Sequence, residues 1–82
     1  MQQTDLVKSY FGPAIYQITV EGLVDKEYWQ NLSGLSVNVV DLKGNALSTL
    51  TGEIADQSAL SGLINSLVDN RYSVVTVIKL EN

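Results

Sequence analysis

Residues 51–70, TGEIADQSALSGLINSLVDN, decide the fold, because they combine the end of a strand with a complete amphipathic helix. Asp56 supplies a side-chain oxygen at the N-cap, and Asn70, which tolerates the left-handed conformation, is expected to close the helix. The apolar residues that recur at helical spacing are Ala59, Leu60, Leu63, Ile64, Leu67 and Val68. This periodicity predicts a helix packed on a core, followed by a strand over residues 73–80.

One residue inside this helix is unfavourable for helix formation. Gly62 costs about 1 kcal/mol relative to alanine at an internal helix position. We expect close packing to be the reason, since a side chain there would hold the helix away from its neighbour.

The patterns before this stretch predict a strand and a second helix. Ala14–Glu21 alternates apolar and polar residues, which is typical of a strand buried on one face. Asp25 is a suitable N-cap for a short helix that ends at residue 33. Its expected buried stripe is Tyr28, Trp29 and Leu32.

Two further strands, residues 35–42 and 46–53, are joined by a turn at residues 43–45. The complete order is strand–helix–strand–strand–helix–strand, which predicts a ferredoxin-like α+β domain over residues 14–82. Two helices should cover one face of a four-stranded antiparallel or mixed sheet. The first and third strands should be central, and the second and fourth should be edges.

Residues 1–13 are predicted to form an arm outside this domain. Thr4 is a suitable cap for a short helix, which the following Gly-Pro pair would end. The apolar residues near one face of that helix are Leu6, Val7, Tyr10 and Phe11. Two alternatives stay open: a frayed terminus, or an arm that packs on its own domain or on a neighbour.

Composition excludes several classes of protein. The 82 residues include no cysteine, which excludes disulfides and fits a cytoplasmic protein. No apolar run reaches the ~18 residues of a membrane span, and the polar first residues do not resemble a signal peptide. The net charge of −4 and the scattered Lys and Arg residues disfavour nucleic acid and anionic membranes as partners.

Catalytic chemistry has few candidates in this chain. Without histidine and cysteine there is no imidazole base, no thiolate nucleophile and no common zinc ligand set. Asp25 with Glu27, and Glu53 with Asp56, could in principle bind a metal ion or transfer protons, but their positions favour helix capping. We therefore expect no catalytic residue, metal or cofactor, and a small enzyme using Asp and Tyr alone is the least favoured alternative.

The last predicted strand carries apolar residues on both faces. Strict alternation places Val75 and Val77 on the face opposite Val74 and Ile78. At an edge strand this indicates that the arm or a second subunit covers the outer face. The expected interface residues are Leu6, Tyr10, Phe11, Val75 and Val77.

The segment of residues 52–64, with Thr51 before it, resembles a pattern in short bacterial proteins of unknown function, T-G-x-[IV]-x-D-Q-x-A-L-x-G-L-[LI]. The resemblance extends more weakly to residues 16–22 and 73–80, and it implies the fold but no activity. Helix geometry does not require Gln57, which could cap the helix or, with Gly52 and Asp56, contact an anionic ligand. The topology is also similar to ACT-type regulatory domains, which bind small metabolites at a subunit interface.

The function predicted from the sequence is a non-enzymatic protein-interaction module. It would form a homodimer or dock as a subunit on a larger partner. The alternative is an ACT-like domain that senses a small molecule.

Overall fold

The computed structural model describes residues 13–81, and it confirms the predicted order of strands and helices. The elements are β1 Ala14–Glu21, α1 Lys26–Ser33, β2 Ser36–Leu42, β3 Asn45–Ile54, α2 Gln57–Asp69 and β4 Ser73–Glu81. Of the predicted arm, only Pro13 belongs to the described residues.

The sheet has the strand order β2-β3-β1-β4, and every neighbouring pair is antiparallel. β1 and β3 are central while β2 and β4 are edges, as the sequence predicts. Alternate residues of β1 are buried, and Ile18 and Val20 are completely inaccessible. Their side chains share one cluster with Trp29 of α1 and Leu67 of α2, so both helices cover the same sheet face. This is the ferredoxin-like arrangement.

The β2–β3 hairpin is tighter than predicted. Leu42 pairs with Asn45, so the turn consists of Lys43 and Gly44 alone. Both have positive φ angles, 51° and 88°. Two left-handed residues in a two-residue turn define type I′, whose twist matches that of the paired strands.

Helix α1 begins and ends where its sequence predicts. The Asp25 carboxylate accepts a hydrogen bond from the Tyr28 backbone N–H at 3.1 Å, and Gly34 closes the helix in the left-handed conformation. The predicted stripe is only partly right, because Trp29 is buried whereas Tyr28 and Leu32 are more than half exposed. A helix of eight residues makes about two turns and contributes just one large side chain to the core.

Helix α2 provides the other wall of the core. The Asp56 carboxylate accepts a hydrogen bond from the Ala59 N–H at 2.9 Å, which confirms the predicted N-cap. Leu60 and Leu67 are buried, and Leu63 is half-buried. The predicted apolar stripe is therefore centred on the line through Leu60 and Leu67.

The C-terminus of α2 differs from the prediction. Asn70 has a φ of −90°, and the left-handed residue is Arg71, with a φ of 69°. The Arg71 N–H donates to the Val68 carbonyl oxygen, and the Tyr72 N–H donates to that of Leu67. These bonds form a Schellman motif, in which the left-handed position follows the C-cap.

The loop between β1 and α1 is fixed to β3 by a buried hydroxyl. Ser48 is completely inaccessible. Its Oγ donates to the Gly22 carbonyl oxygen at 2.6 Å and accepts from the Val24 N–H at 3.1 Å. A polar side chain is tolerated at this depth because both bonds are made.

Substitution of two α2 leucines tests the orientation of this helix. Leu67→Ala should lower the free energy of unfolding by about 2–5 kcal/mol, because the side chain is fully buried. Leu63→Ala should cost less, because that side chain is half-buried. Urea unfolding followed by the fluorescence of Trp29 measures both values. A larger loss for Leu63→Ala would contradict this orientation.

Candidate functional site

The outer edge of β4 is the first candidate site. Among the described residues, the backbone of this strand pairs with β1 alone. The pairing passes over Val75 and Leu80, so β4 contains an irregularity at each of these positions. A bulge inserts one extra residue, which shifts the alternation of side chains beyond it.

The bulge at Val75 makes the predicted faces of β4 wrong beyond that residue. Val77 pairs with Ile18 and therefore lies on the helix-side face, together with Val74, rather than opposite to it. Ile78 lies on the open face of the sheet. Both faces of β4 still carry apolar side chains, although the assignments of Val77 and Ile78 relative to Val74 are reversed.

Exposed apolar side chains run along most of this edge. They form the β4 edge patch, which consists of Val75, Val77, Ile78 and Leu80. Each of the four is between 40% and 50% exposed. The sequence interpretation named Val75 and Val77 as interface residues but missed Ile78 and Leu80. These two are also apolar residues of the predicted edge strand, so the sequence could have indicated them.

The opposite edge of the sheet is more polar. β2 exposes Val39 and Val40, but Ser36, Asn38 and Asp41 are also exposed along this strand. Polar and charged side chains on an edge strand disfavour pairing with another chain. The two edges therefore differ in their suitability for association, and β4 is the more apolar.

The second candidate site is a groove of about 430 Å³ on the helix side of the sheet. It lies between the C-terminal end of α1 and one flank of α2, and we call it the interhelical groove. Its main apolar lining is Leu32, Leu35, Ile54, Ala59, Gly62 and Leu63. Leu32 is 55% exposed, so a large apolar side chain of the groove is in contact with solvent.

The explanation predicted for Gly62 is not observed among the described residues. A Cβ atom built on Gly62 meets no atom within 4 Å apart from those of its own helix and chain neighbours. The glycine is exposed and lies in the wall of the interhelical groove. Close packing within the described part of the chain therefore does not account for it.

The three predicted ligand residues do not form a shared pocket. A Cβ atom on Gly52 would lie 2.7 Å from Leu35 Cδ2, so close approach of Leu35 explains this glycine. Asp56 caps α2. Gln57 is exposed, and its side chain makes no hydrogen bond to the described residues, so its predicted capping contact is not seen. None of the three lines the interhelical groove.

The remaining predicted interface residues, Leu6, Tyr10 and Phe11, lie outside the described residues. Within residues 13–81, no three His, Cys, Asp or Glu side chains come close enough together to hold a metal ion. Across the same span, no helix has both the length and the apolar character needed to cross a membrane. The open sheet face is polar at its centre, where Thr19 and Thr49 hydroxyls lie 3.4 Å apart.

The fold and its surfaces define a small ferredoxin-like α+β domain with one apolar edge. A family model described as "Domain of unknown function (DUF8691)" matches residues 15–78, so the chain belongs to this family. No curated protein and no solved structure matches the chain.

Neighbouring substitutions at the start of α2 test which residue caps the helix. Asp56→Ala should lower the free energy of unfolding by about 1 kcal/mol, because the Ala59 N–H loses its acceptor. Gln57→Ala should change it by less than about 0.5 kcal/mol, since this side chain is exposed. Urea unfolding measures both, and a larger loss for Gln57→Ala would restore a structural role for this residue.

Proposed function

We propose that this protein is a non-enzymatic interaction module that forms a homodimer by pairing the β4 strands of two copies. The observation that carries the proposal is the β4 edge patch, with four half-exposed apolar side chains on an edge strand. Such an edge presents backbone N–H and C=O groups that a second strand can pair with. Side chains on each face of β4 then pack beside those of the partner strand, which reduces their exposure to water.

The sequence of β4 suits pairing with a copy of itself. Val77 is the middle residue of Ser73–Glu81. Antiparallel pairing about a two-fold axis at Val77 places Val74 opposite Leu80 and Val75 opposite Lys79. Lys79 then faces an apolar side chain rather than a second lysine, so no like charges oppose one another at that pair.

Because the domain is small, surface buried in a dimer would add to its stability. A chain near this length buries only about 60–65% of the surface that its unfolded form exposes. A stable dimer typically buries about 800 Å² on each partner. Nine residues of β4 extend for about 30 Å, and their flanking side chains supply apolar surface along that length.

The composition supports a binding role rather than a catalytic one. The chain contains neither histidine nor cysteine, and the carboxylates of Asp25 and Asp56 accept hydrogen bonds as helix caps. The absence of cysteine also supports a cytoplasmic setting, and the resemblance to bacterial proteins supports a bacterial one. The sensing alternative has less support, because Gly52, Asp56 and Gln57 lie outside the interhelical groove.

The molar mass in solution tests the proposal. Light scattering coupled to size exclusion should give twice the chain mass of 8.9 kDa at micromolar concentration. A mass of one chain up to about 100 μM would contradict a homodimer with a typical interface. Docking on a larger partner would then be the remaining form of the interaction hypothesis.

A pair of lysine substitutions locates the interface. Val75→Lys should raise the dimer dissociation constant at least tenfold, about 1.4 kcal/mol, because it places a charge within the paired edge. Val40→Lys is the matched control, since Val40 is similarly exposed on the opposite edge strand. Sedimentation equilibrium measures both constants, and thermal unfolding checks that both variants fold. Dissociation by Val40→Lys alone would move the interface to β2.

A further inference from the structure

The interhelical groove has three features that the homodimer leaves unexplained. It is mostly apolar, it holds about 430 Å³, and the exposed Leu32 contributes to its lining. Its α2 wall consists of Ala59, Gly62 and Ser66 around the half-buried Leu63. Small side chains at these positions let another backbone approach α2 closely.

Gly62 adds a fourth and more specific observation. An exposed glycine in the middle of a helix weakens the helix, and a Cβ atom there would meet nothing among the described neighbours. Alanine would therefore be the more stable residue if the groove were open to solvent. An occupant that packs against the α2 backbone at Gly62 gives the glycine a physical reason.

An apolar segment of the same chain is attached close to this groove. Residues 1–12 join the described part at Pro13, and the next residue, Ala14, pairs with Ile54. Ile54 lines the groove, so the segment enters the domain beside it. A segment tethered by so short a connection has an effective concentration in the millimolar range.

The length and composition of the segment match the groove. Residues 4–11 as a helix would be about 12 Å long, and the axial rise from Ala59 to Ser66 is about 10.5 Å. The apolar residues of the segment are Leu6, Val7, Tyr10 and Phe11. Leu6 and Tyr10, and Val7 and Phe11, are each four residues apart, which suits an apolar stripe that faces the groove.

We infer that residues 4–11 dock as a short helix in the interhelical groove of the same chain, with their backbone close to Gly62. The segment then completes the helix layer over β1 and β3. This docking surface lies between the helices and is separate from the β4 edge, so the inference does not depend on the proposed homodimer.

Contacts in the full-length chain test the inference directly. In a uniformly labelled sample, nuclear Overhauser effects should connect the rings of Tyr10 or Phe11 with the methyl groups of Leu32 or Leu63. Isotope filtering of a mixed labelled and unlabelled sample should show these contacts within one chain. Contacts between chains, contacts with Val75 instead, or no contact to the groove would each overturn the inference.

Substitution of Gly62 gives an independent test. In a Leu6→Ser/Phe11→Ser background, Gly62→Ala should raise the midpoint of thermal unfolding by about 4–8 °C. Alanine stabilises the helix, and in this background no docked segment is displaced by its Cβ atom. In the otherwise unchanged chain, the same substitution should give no rise or a fall, because its Cβ meets the docked segment. Gln3→Ser is the control background and should behave like the unchanged chain. An equal rise in all three backgrounds would overturn the inference.

The two proposals fail in distinguishable ways. Loss of the homodimer shows as a halved molar mass, with the contacts of Phe11 to the groove unchanged. Loss of the docked segment shows as missing groove contacts, with the molar mass unchanged.

Discussion

Burial of the helix-side face of β1 and β3 is the constraint on which the rest of the structure depends. Ile18 and Leu50 pair across these strands and are completely inaccessible, so something must cover them along the whole width of the sheet. Residues 13–81 provide two helices for this purpose, and the shorter one contributes a single large buried side chain, Trp29. Two helices of this length do not cover the whole face. They leave the interhelical groove between them and apolar side chains exposed at the β4 edge.

The sequence predicts the central part of the fold because the relevant signals are local. The alternation along β1 and the caps Asp25 and Asp56 each lie within a few residues of the feature that they define. The order of the strands in the sheet then follows from the order of elements along the chain, because the strand–helix–strand connections allow few arrangements. The errors occur where local signals are ambiguous. Asn70 and Arg71 are adjacent, and the pattern that closes the helix at one of them could as well place the left-handed residue at the other.

The candidate sites were harder to predict, because they depend on contacts between distant parts of the chain. The bulge at Val75 arises from the register of β4 against β1, and one inserted residue is enough to reverse the face of Val77. Likewise, the role of Gly52 is set by Leu35, which approaches it from the start of β2. In the sequence, Ser48 is one polar residue in a predicted strand. In the structure, its hydroxyl fixes the loop from Gly22 to Val24 by two hydrogen bonds. None of these contacts has a signature within its own segment.

The geometry of α2 allows both proposed occupants to bind at once. At about 100° per residue, Val68 lies roughly 120–180° around the helix from Ala59, Gly62 and Ser66. The last three face the interhelical groove, so the exposed Val68 lies on the opposite flank of α2. Since α1 packs over β2 and α2 packs over β4, that flank is the one next to the β4 edge. If both proposals hold, the segment would occupy the space between the helices, while a second copy paired along β4 would add Val68 to the surface that it buries.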